Sequence, residues 1–445
     1  MKLLCLSNGH GEDAIALRIL QHLQQHPSHP KLLALPLVGE GRAFVDNGIP
    51  LAGPVKRMPS GGFIYMDGRQ LARDLQGGLL KLTLAQLKVV KAWAKEGGSI
   101  LAVGDIVPLL FAWWSGAPYT FVGTAKSEYY LRDEVGMLPR KSWFADRLER
   151  WGGSIYHPWE RWLLSRDRCK AVFSRDKLTT DILTQWAIPA FDLGNPMMDG
   201  LEPTGLHFEA NHLSSSEADH PLTIVLLPGS RPPEAYENWQ LILAAVTSLI
   251  SGFRRRSLLF LAAIAPTLDL APLQQALQSQ GWQINTSYPT QESGVRSQES
   301  GARHSTPDQG RGQEAGDAHP TPNTFTQRNA TLILTQTAFN DCLHQADFAI
   351  AMAGTATEQF VGLGKPAITL PGRGPQFTPA FAEAQTRLLG PSAILVKQPA
   401  RVVDVMHKLL QDPDRLQLIA ENGRRRLGNP GAAQRIAACL MENLR

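Results

Sequence analysis

From Ala349 to Gly374 the chain reads AIAMAGTATEQFVGLGKPAITLPGRG, and that order of residue types leaves little choice of local structure. The apolar run Ala349 to Met352 suits a buried strand, Gly354 permits a tight turn, and Thr355 or Thr357 is placed to cap a helix running past Glu358 and Val361. Gly362 to Pro366 ends that helix and Ala367 to Leu370 supplies the next strand, so the unit is β-α-β with its glycines at the ligand end. Free N–H groups at such a helix start suit an anion. An ordinary Rossmann-like crossover without a ligand would read the same way.

A chain of 445 residues, 43% hydrophobic and 19% charged, has room for two or three domains with substantial cores. The formal charge of +4 is compatible with an anionic lipid or a phosphorylated ligand. It falls short of the basic stripe of a nucleic-acid binder, and no nucleic-acid motif is present. Cys5, Cys169, Cys342 and Cys439 are widely spaced and form no zinc pattern, so free thiols in a reducing, cytoplasmic setting are expected. The apolar run after Met1-Lys2 stops at Ser7-Asn8-Gly9-His10, too short for a signal peptide, and Met1 is expected to start the mature chain. Ile100 to Val122 is interrupted by Gly104-Asp105, Pro108 and Pro118, which predicts two strands flanking a short helix and leaves any membrane contact peripheral.

The same strand-turn-helix opening recurs at the start of the chain. Lys2 to Leu6 is a strand, SNGHGED (7–13) a glycine loop, and Ala14 to Leu23 a helix. The loop is neither GxGxxG nor a P-loop, which disfavours a dinucleotide site but keeps an open crevice faced by His10, Glu12 and Asp13. Glu12 and Asp13 also suit the first turn of a helix on dipole grounds alone. Leu32 to Val38 and Ser99 to Val103 continue the sheet. Asp105 then stands at a strand's carboxyl end, as a base candidate or as the cap of the helix that follows. Tyr119 to Val122 repeats the pattern, and the loop after it brings Lys126 beside hydroxyls and aromatics.

Two stretches mix cations with apolar residues. Met58 to Lys95 reads either as a glycine-broken basic segment lying on a bilayer or as a surface helix packed on the sheet. Trp143, Trp151, Trp159 and Trp162 among seven arginines and lysines read either as an interfacial belt or as the buried side of helices.

Residues 1–200 thus form one Rossmann-like domain, 201–221 a linker, and 222–399 a second such domain, followed by helices over 400–445 that are expected to pack back on the first. Residues 285–328, polar and with the near-repeats QESGVR and QESGAR, are expected to be a disordered insertion. In the second domain Gly229, Ser230 and Arg231 form a strand-to-helix turn where an arginine can pair with a pyrophosphate. With Gly354 to Glu358 they make an anion site.

LLPGSRPPE (226–234), GNPMMD (194–199) and AGTATEQ (353–359) followed by GKP resemble the lipid-A-disaccharide synthase family, and its related-protein branch in particular, over nearly the whole chain. The resemblance implies a GT-B glycosyltransferase: two Rossmann-like domains facing a cleft, inverting, using a UDP-sugar without metal or other cofactor. It makes Ser230 and Arg231 diphosphate contacts, Gly354 and Thr355 the helix-end amides, and Glu358 or Gln359 the ribose ligand, the family's acid falling where Gln359 stands. Gly229 and Gln376 complete the nucleotide-sugar set, and Asn8, Gly9, Gly11 and Lys126 are assigned to the acceptor. Its partners would be a UDP-sugar and a lipid-linked acceptor, with peripheral membrane contact and a homodimer. An inverting transfer needs a base, for which Asp105 stands first, then Glu12 or His10. The one DxD match, Asp412-Pro413-Asp414, reads as a helix break. A UDP-sugar 2-epimerase shares these features, and a non-catalytic nucleotide-sugar-binding or membrane-scaffold protein is the rival outside enzymes.

Overall fold

The computed structural model describes residues 2–28, 30–56, 78–138, 152–210, 220–285, 323–375 and 377–444. Gln376, Trp143, Trp151 and the 57–77 part of the basic segment lie outside the described residues.

Strands with unbroken apolar runs bury both faces, which is how parallel sheets are read in sequence. Among the described residues β1 (Lys2–Ser7), β2 (Lys31–Pro36), β3 (Ser99–Gly104), β4 (Tyr119–Gly123), β5 (Cys169–Phe173) and β6 (Ala190–Phe191) form a parallel sheet in the order β2-β1-β3-β4-β5-β6. On one side α1 (His10–Gln24) packs Ile15, Ile19 and Leu23 against Leu3, Cys5 and Val103. On the other lie α3 (Leu79–Lys95), α4 (Ile106–Ser115) and α5 (Pro158–Leu164), with Trp93 and Phe111 in the core. The short helix α2 (Arg42–Asp46) buries Phe44, and α6 (Lys177–Thr184) is capped by Asp176, whose carboxylate accepts from the Thr179 N–H at 2.8 Å.

The second sheet runs β14-β13-β12-β7-β8-β11-β10-β9, from β7 (Leu222–Leu227), β8 (Leu258–Ala263), β9 (Gln283–Asn285), β10 (Asn323–Gln327), β11 (Ala330–Thr335), β12 (Phe348–Ala351), β13 (Ala367–Thr369) and β14 (Ala393–Leu395). Its helices are α7 (Glu234–Gly252), α8 (Ala271–Ser279), α9 (Phe339–Gln345), α10 (Thr355–Gly362), α11 (Pro379–Leu389), α12 (Val402–Leu410) and α13 (Pro413–Leu427). Two expectations need correction here, and one open alternative is decided. The insertion is narrower than 285–328: Asn323–Gln327 is a strand, because Phe325 buries in the core while its backbone pairs antiparallel with Leu332 and Ile284. The linker read over 201–221 is not loose along its first half. Asp341 accepts from the N–H groups of Thr204, Gly205 and Leu206, and Phe208 is buried against the second sheet. Trp159 and Trp162 stand on the outer side of α5, 59% and 46% exposed, because Leu163 and Leu164 take the inward positions of so short a helix.

Of the late helices, α12 and α13 stay on the second sheet, while α14 (Ala432–Asn443) crosses back and buries Ile436, Leu440 and Met441 in the core of the first. Asp199, the last residue of GNPMMD, holds the crossing: its carboxylate accepts from the N–H groups of Gly431 at 2.6 Å, Ala432 at 3.1 Å and Ala433 at 2.7 Å. Asp199→Ala leaves three N–H groups of a buried helix start without their acceptor. Thermal or denaturant unfolding is expected to show a loss of about 2–4 kcal/mol; a loss below about 0.5 kcal/mol would show that this cap is dispensable.

Candidate active site

In both sheets the order in which strands are added reverses between two adjacent parallel strands, the place where open α/β sheets bind ligands. In the first sheet these strands are β1 and β3, and in the second β7 and β12. Several of the residues singled out from sequence stand at these two places.

At the first, Asn8 and Gly9 follow β1, Asp105 follows β3, and Thr124 follows the neighbouring β4. Asp105 caps α4 by accepting from the Val107 N–H at 2.9 Å, and the same oxygen accepts from Asn8 Nδ2 at 3.0 Å. The cap reading of Asp105 is thus observed, through Oδ1. Glu12, in the first turn of α1, is buried and accepts a long hydrogen bond from Thr124 Oγ1 at 3.4 Å. A Cβ at Gly9 would stand 2.8 Å from Glu12 Oε2, so glycine there makes room for the carboxylate. Burial pushes Glu12 above the usual carboxylate range; hydrogen bonding to its own N–H opposes this, the charge of Asp105 adds to it, and Thr124 and Arg231 oppose it. Burial likewise raises Asp105, against its hydrogen bonds to Val107 and Asn8.

The remaining first-domain candidates divide. His10 is the first residue of α1, and its side chain lies outside the described ones. Gly11 is exposed with open space beside its Cα. Lys126 points inward: its ammonium meets Glu160 at 2.5 Å and the Ile155 carbonyl at 3.3 Å, and stands over the Tyr156 ring.

Asp13 joins the site's polar base, taking the Ser7 hydroxyl at 2.5 Å. Burial pushes its carboxyl up to about 7, the Ser7 hydrogen bond opposes and the Glu12 charge adds. In the unfolded chain this group ionises near pH ~4, so between there and about 7 the folded state binds the extra proton and stability falls as pH rises. Asp13→Asn is expected to raise unfolding free energy by about 2–4 kcal/mol near pH ~8 and to change little near pH ~4. A gain of equal size at both pH values would contradict the buried-carboxyl account.

At the second sheet, Gly229 (φ +100°) turns the chain after β7, and a Cβ there would press on the Met352 carbonyl at 3.3 Å. The turns after β7 and β12 are clamped side by side by Asn238, whose Nδ2 donates to the carbonyls of Pro228 at 3.0 Å and Met352 at 3.4 Å. Ser230 and Arg231 are exposed on this turn. Gly354 precedes α10, and no side chain caps that helix start. This corrects the capping role expected of Thr355 or Thr357: Thr355 is already the first helical residue, and the Thr357 hydroxyl donates back to the Ala353 carbonyl at 2.6 Å. The first amides of α10 thus have no side-chain cap. Gln385 fixes the approach by donating to the Ala353 carbonyl at 2.9 Å.

Glu358 and Gln359 both reach across to the first half of the chain. Glu358 accepts from Arg175, whose other nitrogen donates to the Thr124 carbonyl at 3.0 Å, and Gln359 Nε2 donates to the Met197 carbonyl at 3.0 Å. Burial pulls the Arg175 guanidinium down, but Glu358, Tyr130 and Asp176 outweigh it and hold the group above its ordinary value. Ser174-Arg175-Asp176 reads in sequence as a helix start. Its position at the carboxyl end of β5 was the available signal for Arg175, by the argument applied to Asp105. Asn238, buried in mid-helix, carried no such signal. Among the described residues no group of three or more His, Cys, Asp or Glu side chains could hold a metal ion.

Two Rossmann-like sheets with a last helix returning to the first define the GT-B fold. Solved structures with this architecture cover the whole chain. The chain is similar to MurG of Acinetobacter baumannii (15% identity, 99% of this chain and 99% of that one, TM-score 0.52). It is similar also to the calicheamicin glycosyltransferase CalG4 (13%, 100% and 98%, TM-score 0.56). A third is the UDP-GlcNAc 2-epimerase of Neisseria meningitidis bound to UDP-GlcNAc (13%, 100% and 100%, TM-score 0.50). At these identities the likeness is one of fold. No protein-family model and no curated protein matches the sequence.

Proposed function

We propose that the chain is an inverting glycosyltransferase that moves a sugar from a UDP-sugar to a lipid-linked acceptor, in the manner of lipid-A-disaccharide synthase. One observation carries this reading: buried Glu12 and Asp105 stand at the switch point of the first sheet, the Gly229 and Gly354 turns stand at that of the second, and Arg175–Glu358 and Gln359–Met197 hold the two halves together. In this reading residues 1–200 hold the acceptor and 222–399 the nucleotide sugar, with an N-acetylglucosamine-type or acylated glucosamine unit in transit. Glu12 or Asp105 takes the proton of the acceptor hydroxyl as its oxygen bonds to the anomeric carbon. The bond from that carbon to the diphosphate oxygen breaks, and UDP leaves with the electron pair. Arg231 and the open amides of α10 balance the charge that gathers on the diphosphate. Metal independence and the donor class are carried by the family resemblance of LLPGSR, GNPMMD and AGTATEQ. Among the described residues no helix is long and apolar enough to cross a membrane, so a lipid-linked acceptor is reached from the surface, which we place on the cytoplasmic side.

The test is product analysis: purified protein with UDP-GlcNAc and a membrane lipid extract, followed by an untargeted lipid profile of cells lacking the protein. A new glycosylated lipid made with release of UDP supports the transferase. The second reading, a UDP-sugar 2-epimerase, is favoured by the full-length likeness to the Neisseria meningitidis enzyme. It requires an isomerised sugar with no acceptor present. Binding of the UDP-sugar with neither product, unaffected by Asp105→Asn and Glu12→Gln, points to a binding protein instead.

A further inference from the structure

The two sheets carry their candidate groups on separate halves of the chain, so chemistry that uses both needs a fixed spacing between them. Apart from the linker and α14, two sets of side-chain contacts among the described residues join the halves. In one, the loop after β4 meets α11 and α13: Arg387 donates to the Tyr130 carbonyl, Arg425 pairs with Glu134 at 3.2 Å, and the Arg426 guanidinium stands 3.9 Å from the centre of the Tyr129 ring. The Arg425 and Glu134 side chains are 54% and 40% exposed, and an ion pair in water holds little. In the other set Arg175 joins Glu358, and Gln359 Nε2 donates to the Met197 carbonyl at 3.0 Å. Here the ion pair is buried, with 5% and 10% of its side chains exposed.

Arg175 is held in place by its neighbours. It follows β5 and stands between Ser174, whose hydroxyl donates to the Asp176 carbonyl at 3.1 Å, and Asp176, the cap of α6. One nitrogen of the guanidinium donates to the Thr124 carbonyl at 3.0 Å and the other terminal nitrogen to Glu358. The hydroxyl of the same Thr124 reaches Glu12, and Glu358 belongs to the first turn of α10. A chain of hydrogen bonds therefore runs from Glu12 through Thr124 and Arg175 to Glu358. It leads from a candidate base to the helix whose first amides have no side-chain cap.

Stability alone does not account for such a pair. Taking two charges out of water offsets most of their attraction, and apolar residues of the same volume often serve a fold as well. What the pair adds is direction, because a planar fork bonded on one side to the Thr124 backbone and on the other to α10 tolerates one spacing of the halves. Rates respond to that spacing, since a misplacement of about 1 Å can cost about a hundredfold.

We propose that Arg175 is a positioning residue: bonded to Thr124 and Glu358, it sets the distance between the Glu12 carboxylate and the donor diphosphate at α10, and Glu358 serves this pair and not the ribose. The proposal rests on the reading of a sugar transferred between the halves, but two of the measurements that test it need no transfer.

The full chain is to be compared with Arg175→Met, Glu358→Gln and the double variant, which leaves no buried charge unpaired where each single variant does. Without nucleotide, hydrogen exchange of the amides of 124–128 and 355–362 is expected to quicken about tenfold in each single variant. With UDP-GlcNAc at saturation and a membrane lipid extract, release of UDP is expected to fall about tenfold to a hundredfold in each. The double variant should be no slower than the slower single one, and Arg175→Lys should recover part of the loss. Calorimetry should find UDP affinity within about threefold of wild type throughout, a split between turnover and binding that a merely structural prop would not give. Glu358→Gln should also prefer UDP over 2′-deoxy-UDP by the wild-type ratio. Unchanged exchange in both single variants, or losses of turnover that add in the double variant, would overturn the proposal. So would loss of the preference for UDP in Glu358→Gln, which would return the ribose to that carboxylate. Absence of UDP release by the wild-type chain would refute the transferase reading instead, and exchange and the 2′-deoxy comparison would still decide the pair.

Discussion

Glu12→Gln and Asp105→Asn, made one at a time, are expected to lower turnover by about a hundredfold to ten-thousandfold in whichever residue is the base, with little change in UDP affinity. The two positions are distinguishable by their structural duties. Asp105 also caps α4 through the Val107 N–H, a bond that the asparagine oxygen can keep, whereas Glu12 bonds its own N–H and makes a long contact to Thr124. Both carboxyls are raised by burial, and a base accepts a proton only when ionised. The acid limb of the pH-rate profile should therefore lie above the ordinary carboxylate range, and it should vanish in the variant that removes the base. Full turnover in both variants, measured by release of UDP, would take the base away from this pair.

Arg231→Ala is expected to weaken UDP binding by about 30-fold to a thousandfold, as suits the loss of a charge-assisted pair of hydrogen bonds to a diphosphate. Arg231→Lys should recover only part of this, because an ammonium cannot span two phosphate oxygens as the planar fork does. The side chain is exposed on its turn, so neither substitution is expected to disturb folding. Calorimetry on the full chain measures both. Unchanged affinity in Arg231→Ala would separate the β7 turn from the nucleotide and remove the main support for a site between the two sheets.

Much of this architecture was legible because it is written locally. The apolar runs LLCL, ILAV and IVLL are each followed closely by a glycine at the strand's carboxyl edge, and the caps at Asp105, Asp176 and Asp412 stand where a short acid precedes a helical pattern. Asp412 bears out the reading of Asp412-Pro413-Asp414 as a helix boundary, since it accepts from the Arg415 N–H at 3.0 Å. What escaped depends on distant pairing. Arg175 and Glu358 are 183 positions apart, and no spacing rule connects them; the same holds for Gln359 and the Met197 carbonyl. The choice between Glu358 and Gln359 as a ribose ligand was framed from one helix, yet both side chains are engaged by the opposite half of the molecule. The setting of Trp159 and Trp162 stayed open between inside and outside for a different reason: α5 is too short for its periodicity to distinguish the two.

The return of α14 to the first sheet makes one half of the chain wait for the other. The first sheet closes its hydrophobic interior only after Ile436, Leu440 and Met441, which follow the whole second sheet in sequence, have been made. Until then a groove along Leu3, Ile19 and Leu23 stands open, a ready target for chaperones.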